Sequence, residues 1–274
     1  MQHQFGLIIT RTIRKKNTLR SYQAVIEPFC REFGERTIGK VTPDEILSFL
    51  NRLTDGNRPY TKRVRYSQLS CYFNFIRNNS EPESVNPCDT PMIRKLYRQK
   101  VESSWEIIEK ETIDEIIFRT TKNRNRLLLE LMARGGMRVG EVLKLRLKDL
   151  QDQKLIIQSP KSGKEREIVF IPQKVADRLR DYAYQACKKP EDRIFPISYE
   201  AARMVVLKAG KLVGIHLRPH DLRRHSATYA SRSGVPIEIV SKVILRHSTL
   251  SMTQRYLGTI NDVEAIRWID NIYA

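Results

Sequence analysis

Apolar residues recur every three or four positions through most of this chain, the period of helices packed on one face. Tyr22, Val25, Ile26, Phe29 and Phe33 predict a helix over residues 19–33, capped by Thr18. Thr42-Pro43-Asp44-Glu45 predicts a second helix start: a capping hydroxyl, Pro in the first turn, then acids favoured by the helix dipole. Ile46, Phe49, Leu50 and Leu53 carry that helix towards Asp55-Gly56-Asn57. A third begins around Tyr60-Thr61 and buries Val64, Leu69, Tyr72, Phe73 and Ile76. Residues 78–92 hold three prolines and several turn formers, which reads as a linker. A domain boundary is expected near residue 100, giving domains at 1–100 and 101–274.

The second domain opens with helical patterns at 111–119 and 124–134. Gly135-Gly136 interrupts them before another short helix at 139–145. Two β-like runs follow, at 155–158 and 167–171, joined by a polar loop as in a hairpin. Further helices are expected at 173–187, 198–213, 221–233 and 236–246, then a short turn at 250–257 and a terminal helix at 261–272. The fold class is therefore mainly α with a small antiparallel β-sheet.

Charge changes this picture. The chain carries 49 Lys and Arg against 31 Asp and Glu, a net +18. Residues 1–100 contribute 18 basic and 9 acidic side chains, and the rest 31 and 22, so both halves are basic. A surface basic throughout suits a polyanion, because each neutralised phosphate releases condensed counterions. Arg58, Lys62, Arg63 and Arg65 at the front of the third helix are candidate DNA contacts; a merely solvated face is the alternative. Cys30, Cys71, Cys88 and Cys187 are scattered without metal-ligand spacing, so neither zinc nor disulfides are expected, and the setting is intracellular. No run approaches the roughly 20 apolar residues of a membrane span. A cytoplasmic protein without membrane contact is expected.

Phosphodiester transfer needs a nucleophile, cationic donors for the phosphoryl oxygens, and an acid for the leaving oxygen. The second domain offers all three. His220 and Arg223 stand at i and i+3 after Pro219, on one face of a helix start where an anion is favoured. His247 ends an amphipathic run, and Tyr256 follows nine residues later. Arg138 follows two glycines, with Glu141 at i+3 placed to hold its guanidinium. Lys161 stands in the hairpin loop, with Lys164 three residues along. Each alone has an ordinary reading: a surface helix start, a C-capping histidine, a packed tyrosine, an exposed turn lysine.

Together the set resembles the tyrosine recombinase (phage integrase) family, which shares its catalytic fold with type IB topoisomerases. Gly136-Met137-Arg138-Val139-Gly140-Glu141 matches the family's arginine segment, and Lys161 its hairpin lysine. His220-Asp221-Leu222-Arg223, with Ala227-Thr228 beyond it, matches the H-x-L-R box, and His247 to Tyr256 the last box. Arg246 departs from the family's usual glycine, which suggests either a different turn there or an added phosphate contact. The resemblance implies a helical core-binding (SAM-like) domain and a catalytic domain forming a C-shaped clamp around double-stranded DNA. It implies Tyr256 as nucleophile, making a 3′-phosphotyrosine. Arg138 and Arg223 would be phosphate clamps, Lys161 the acid, His220 the proton acceptor and His247 a further donor. A homotetramer on two recombination sites is implied, serving mobile-element integration or excision, or dimer resolution. The two cationic clamps would stand in for a metal, so no cofactor is expected. Strand relaxation in the manner of a type IB topoisomerase, and a non-catalytic DNA-binding regulator, are the alternatives.

Overall fold

Capping and apolar periodicity decide most of the helices in the computed structural model, which describes residues 16–79, 82–98, 107–160, 163–257, 265–266 and 268–270. The chain divides into two units, Met1–Ser103 and Ser104–Ala274.

The first unit contains α1 (Lys16–Phe33), α2 (Pro43–Leu53), α3 (Pro59–Asn79) and α4 (Pro91–Tyr97). The α2 start is a full capping box: the Thr42 hydroxyl accepts from the Glu45 amide, and the Glu45 carboxylate accepts from the Thr42 amide. Phe29 centres the core, with Phe33, Phe49, Phe73 and Tyr72 around it at ring separations of 4.9–5.8 Å.

Several expectations fail here for physical reasons. Thr18 lies inside α1, which starts at Lys16, so it is not the cap. Val64 is only half-buried. Residues 78–92 are no simple linker. Asn86 is buried: its amide donates to the Ser70 and Asn74 oxygens, and its side-chain oxygen accepts from the Cys88 amide. Cys88 is sealed in the core and its carbonyl accepts from the Tyr66 hydroxyl. The prolines there start a 3₁₀ turn (Pro87–Asp89) and α4, as Pro commonly does at a first turn.

The second unit is built on α6 (Asn123–Ala133), whose positions from Leu127 to Ala133 are all buried. Around it lie α5 (Lys110–Arg119), α7 (Val139–Val142), α8 (Gln173–Ala186), α9 (Tyr199–Lys211) and α10 (Pro219–Arg232). A buried charge on α6 is met rather than avoided, since Glu130 accepts from Arg178 at 2.6 Å and from Arg134 at 3.4 Å. The sheet has three antiparallel strands in the order β1-β2-β3: β1 (Leu150–Gln151), β2 (Lys154–Gln158) and β3 (Arg166–Phe170). β1 went unforeseen because two residues carry no period. In β2 and β3, Leu155 pairs with Val169 and Ile157 with Glu167, and all four face the interior.

After α10 come α11 (Ile237–Ile239) and a π-helical turn (Val240–Ile244), where one continuous α-helix was expected, then α12 (Leu250–Gln254). Among the described residues no helix is long and apolar enough to cross a membrane. Lys161, and Val263 and Ile272 of the expected terminal helix, lie outside the described residues. Ile266, Trp268 and Ile269 from that helix are helical and exposed.

Candidate active site

Two glycines end α6 and turn the chain into α7. Gly136 adopts φ +59°, a left-handed conformation that costs residues with a β-carbon. A β-carbon there would lie 2.8 Å from Ile244 Cγ2 and 2.9 Å from the Ile244 carbonyl oxygen. The turn brings Arg138 to the start of α7, where Glu141 grips it twice. One carboxylate oxygen accepts from the Arg138 guanidinium at 2.6 Å, the other from its amide at 3.0 Å. Arg138 remains part-exposed while Glu141 is buried. Burial alone would raise the Glu141 pKa, but Arg246 and Arg138 outweigh it and hold the carboxyl below its usual range.

Pro219 opens α10, and the Asp221 side chain accepts from the Arg218 amide at 2.9 Å. His220 therefore falls on the first turn and Arg223 one turn further. Arg223 is fully enclosed. Its guanidinium donates to the carbonyls of Gly136 and Leu245 and lies 3.4 Å from His247 Nε2. Its Nε has no hydrogen-bond partner among the described residues. Burial, then Arg138 and Arg246, push its pKa down to about 10, so it stays charged at neutral pH.

His247 is buried. Its backbone N–H bonds the Ser241 carbonyl at 2.9 Å, and its Nδ1 lies 3.0 Å from the Thr253 hydroxyl. Thr253, three residues before Tyr256 on the same turn, was not singled out in sequence; its helical offset from Tyr256 was the available signal. The Tyr256 ring sits 5.0 Å from the His247 ring and 5.2 Å from that of His220. Its hydroxyl is 2.8 Å from His220 Nε2. Its backbone carbonyl accepts from the Thr228 hydroxyl at 2.9 Å, which gives Thr228 a physical task. Desolvation, with Arg224 and Arg223 nearby, lowers the His220 pKa to about 4, although the residue as a whole is exposed. Desolvation, then Arg223, Arg138 and Arg246, do the same to His247. Both rings are neutral at pH 7, so each can accept a proton or bond through an unprotonated nitrogen.

The structure thus joins Tyr256 to His220 and His247, His247 to Arg223, and Glu141 to Arg138, whose charge acts on both histidines and on Arg223. His225, two residues after Arg223 on α10, is turned away: its Nδ1 meets the Ile108 carbonyl at 2.9 Å and its ring stacks on Tyr229. Lys164 is exposed in the β2–β3 loop. Arg58 and Arg63 are exposed at the front of α3 and Lys62 is half-buried.

Two expected DNA contacts are placed otherwise. Arg65 bonds inward, to the Ser21 carbonyl at 2.7 Å and Gln68 at 3.2 Å, joining α1 to α3. Arg246 is not at the surface. Its side chain is 4% exposed and bonds Glu141 at 2.8 Å, where two buried carboxylates outbid solvent for it. Among the described residues no cluster of three or more His, Cys, Asp or Glu side chains could hold a metal ion. A cleft of about 250 Å³ opens beside Glu141, lined by Lys144, Arg146, Arg193 and Gln158, and excludes the Tyr256 group.

The family model described as the phage integrase family matches residues 96–260. The tyrosine recombinase XerA of Saccharolobus solfataricus is 28% identical over 253 residues, covering 89% of this chain and 83% of that protein. The tyrosine recombinase XerC of Thermodesulfovibrio yellowstonii is 27% identical over 262 residues, covering 88% and 85%. Among solved structures, the fold matches a lambda integrase dimer bound to a COC′ core site, with a TM-score of 0.73 at 18% identity over 95% of this chain and 79% of that one. It also matches the Tn1549 transposon integrase in complex with transposon right end DNA, with a TM-score of 0.74 at 15% identity over 98% and 97%. The chain belongs to the phage integrase family and is a tyrosine-type site-specific recombinase.

Proposed function

We propose that this protein cuts and rejoins double-stranded DNA at specific sites through a covalent bond between Tyr256 and the 3′ side of the break. The observation that carries this reading is the 2.8 Å contact between the Tyr256 hydroxyl and Nε2 of a neutral His220, beside two arginines. The Tyr256 oxygen attacks the scissile phosphorus as its proton passes to His220 Nε2. The new O–P bond forms while the bond to the 5′-oxygen breaks, and Lys161 supplies that oxygen's proton. Arg138 and Arg223 take the charge on the non-bridging oxygens, a task suited to the planar guanidinium fork. His247 adds a donor there once protonated beside the phosphate. Arg223 is enclosed, so its contact with the phosphate requires the surrounding residues to make way. Because the phosphotyrosine keeps the energy of the broken bond, the reverse attack by a 5′-hydroxyl reseals the strand.

Met1–Ser103 serves as the core-binding domain, with Arg58, Lys62 and Arg63 on DNA phosphates, and the remainder as the catalytic domain. Lys164 reaches the DNA beside Lys161. Four copies act on two sites, in integration or excision of a mobile element or in dimer resolution. The supports are the basic balance of both halves and relatives solved on DNA as a dimer and, for lambda integrase, as a tetramer on a Holliday junction.

The test is covalent capture. The protein is incubated with sheared DNA from its own source cell and denatured, and the DNA left on the protein is sequenced. The expected result is a covalent adduct mapping to one short site, formed by the wild-type chain and absent from Tyr256→Phe. An adduct of undiminished yield from Tyr256→Phe would overturn the assignment.

A further inference from the structure

Arg246 has no part in the chemistry above, yet the chain holds it in a costly state. Its backbone sits at φ +53°, left-handed, where a β-carbon is disfavoured and glycine is at ease. Its guanidinium is buried immediately beside the site, and burial pushes its pKa down. A buried cation and a strained backbone at one residue persist only where the surroundings fix them.

The contacts show what fixes them. One nitrogen donates to the Ile244 carbonyl at 2.7 Å and another to Glu141 Oε2 at 2.8 Å. Nε lies 3.4 Å from Glu167 Oε2 on β3, an ion contact without hydrogen-bond alignment. Glu141 Oε2 also accepts from the Arg138 amide at 3.0 Å. With two donors on that oxygen, the carboxylate plane is set, and Oε1 is left facing the Arg138 guanidinium at 2.6 Å. A continuous polar chain thus runs Glu167–Arg246–Glu141–Arg138. The neighbours of Arg246 in sequence meet the same site: the Leu245 carbonyl accepts from Arg223, and His247 lies against it.

We propose that Arg246 is a positioning residue: through Glu141 it fixes the direction of the Arg138 guanidinium towards the scissile phosphate and anchors that arginine to strand β3. This inference rests on the reading of Arg138 as a phosphate clamp. Losing a partner that orients a working side chain slows catalysis by roughly 10–100-fold, less than the roughly 10²–10³ of removing the donor itself.

Four proteins are compared on a duplex carrying the captured site, nicked so that cleavage is trapped: wild type, Arg246→Gly, Arg246→Lys, and the double variant Arg246→Gly with Glu167→Gln. Glycine suits the backbone, and Glu167→Gln removes one of the buried carboxylates that Arg246→Gly would leave uncompensated, so the double variant guards against unfolding. Non-covalent binding and single-turnover cleavage are measured separately. The glycine and double variants should bind within about threefold of wild type and cleave roughly 10–100-fold slower. Lysine, which keeps the charge without the fork, should recover part of the loss. Wild-type cleavage by the double variant would reduce Arg246 to a charge balance and overturn the proposal, as would a lysine variant no faster than glycine. A wild-type chain that forms no adduct at all would overturn the underlying reading with it. A wild-type adduct with unimpaired Arg246 variants would overturn this inference alone.

Discussion

The carbonyl of Gly136 accepts a hydrogen bond from the guanidinium of Arg223, 87 residues away in sequence. Arg223 is fully enclosed, so it depends on such acceptors to replace water. That acceptor points at Arg223 because Gly136 takes a left-handed turn pressed against Ile244. Gly136→Ala should therefore act twice. The strained φ and the clash should cost on the order of 1–3 kcal/mol of stability. The displaced carbonyl should also slow strand cleavage more than it weakens DNA binding. Denaturant melts alongside cleavage rates check this, and unchanged values of both would mean the turn tolerates a β-carbon.

The two site histidines give a pH dependence of defined sign. His220 and His247 are both lowered to about 4 in the fold, from 6.5 when unfolded. Between those values the unfolded chain binds more protons, so the DNA-free protein should lose stability as pH falls from about 6.5 towards 4. Above that window these rings should contribute no slope. In His247→Gln the fall in Tm across the window should be smaller than in wild type. Parallel curves would mean His247 titrates normally. The nearby Glu141 carboxylate, also held low, adds a loss of the same sign as pH falls below its ordinary value of 4.5.

Sequence alone exposed the parts of this site that depend on spacing along one element. His220 and Arg223 share a helix face, and Tyr256 follows His247 across one short turn, so both pairs were visible as offsets. What could not be read was which long-range partner each side chain meets. Arg246 looked like a spare surface cation, because nothing local tells that Glu141, 105 positions earlier, and Glu167 wait inside the fold. Asn86-Pro87 looked like linker for the same reason: turn-forming residues are read as exposed, and only the fold shows Asn86 with its hydrogen bonds met in the core. The π-helical turn before Arg246 has no signature in its period, since Val240 and Ile244 fit an ordinary helix equally well.

The leaving-group acid is testable independently of the arginines. If Lys161 protonates the 5′-oxygen, Lys161→Ala should cleave ordinary DNA slowly and recover on a 5′-bridging phosphorothiolate, whose thiolate leaves without a proton. Lys164→Ala, assayed in parallel, should show no such rescue. Rescue of Lys164→Ala alone would move the acid three positions along, and rescue of neither would return the task to a group such as His220.

If Tyr256 itself carries the cleaved strand, its position makes a direct measurement simple. Cleavage by trypsin after Arg255 and Arg267 releases residues 256–267, whose sole tyrosine is Tyr256. The captured adduct is digested with nuclease and trypsin and weighed by tandem mass spectrometry, and the free DNA end is tested for labelling by polynucleotide kinase. The expected result is a nucleotide on Tyr256 through its 3′-phosphate and a free 5′-hydroxyl that accepts label. A nucleotide on any other residue, or a 5′-phosphate linkage, would contradict it.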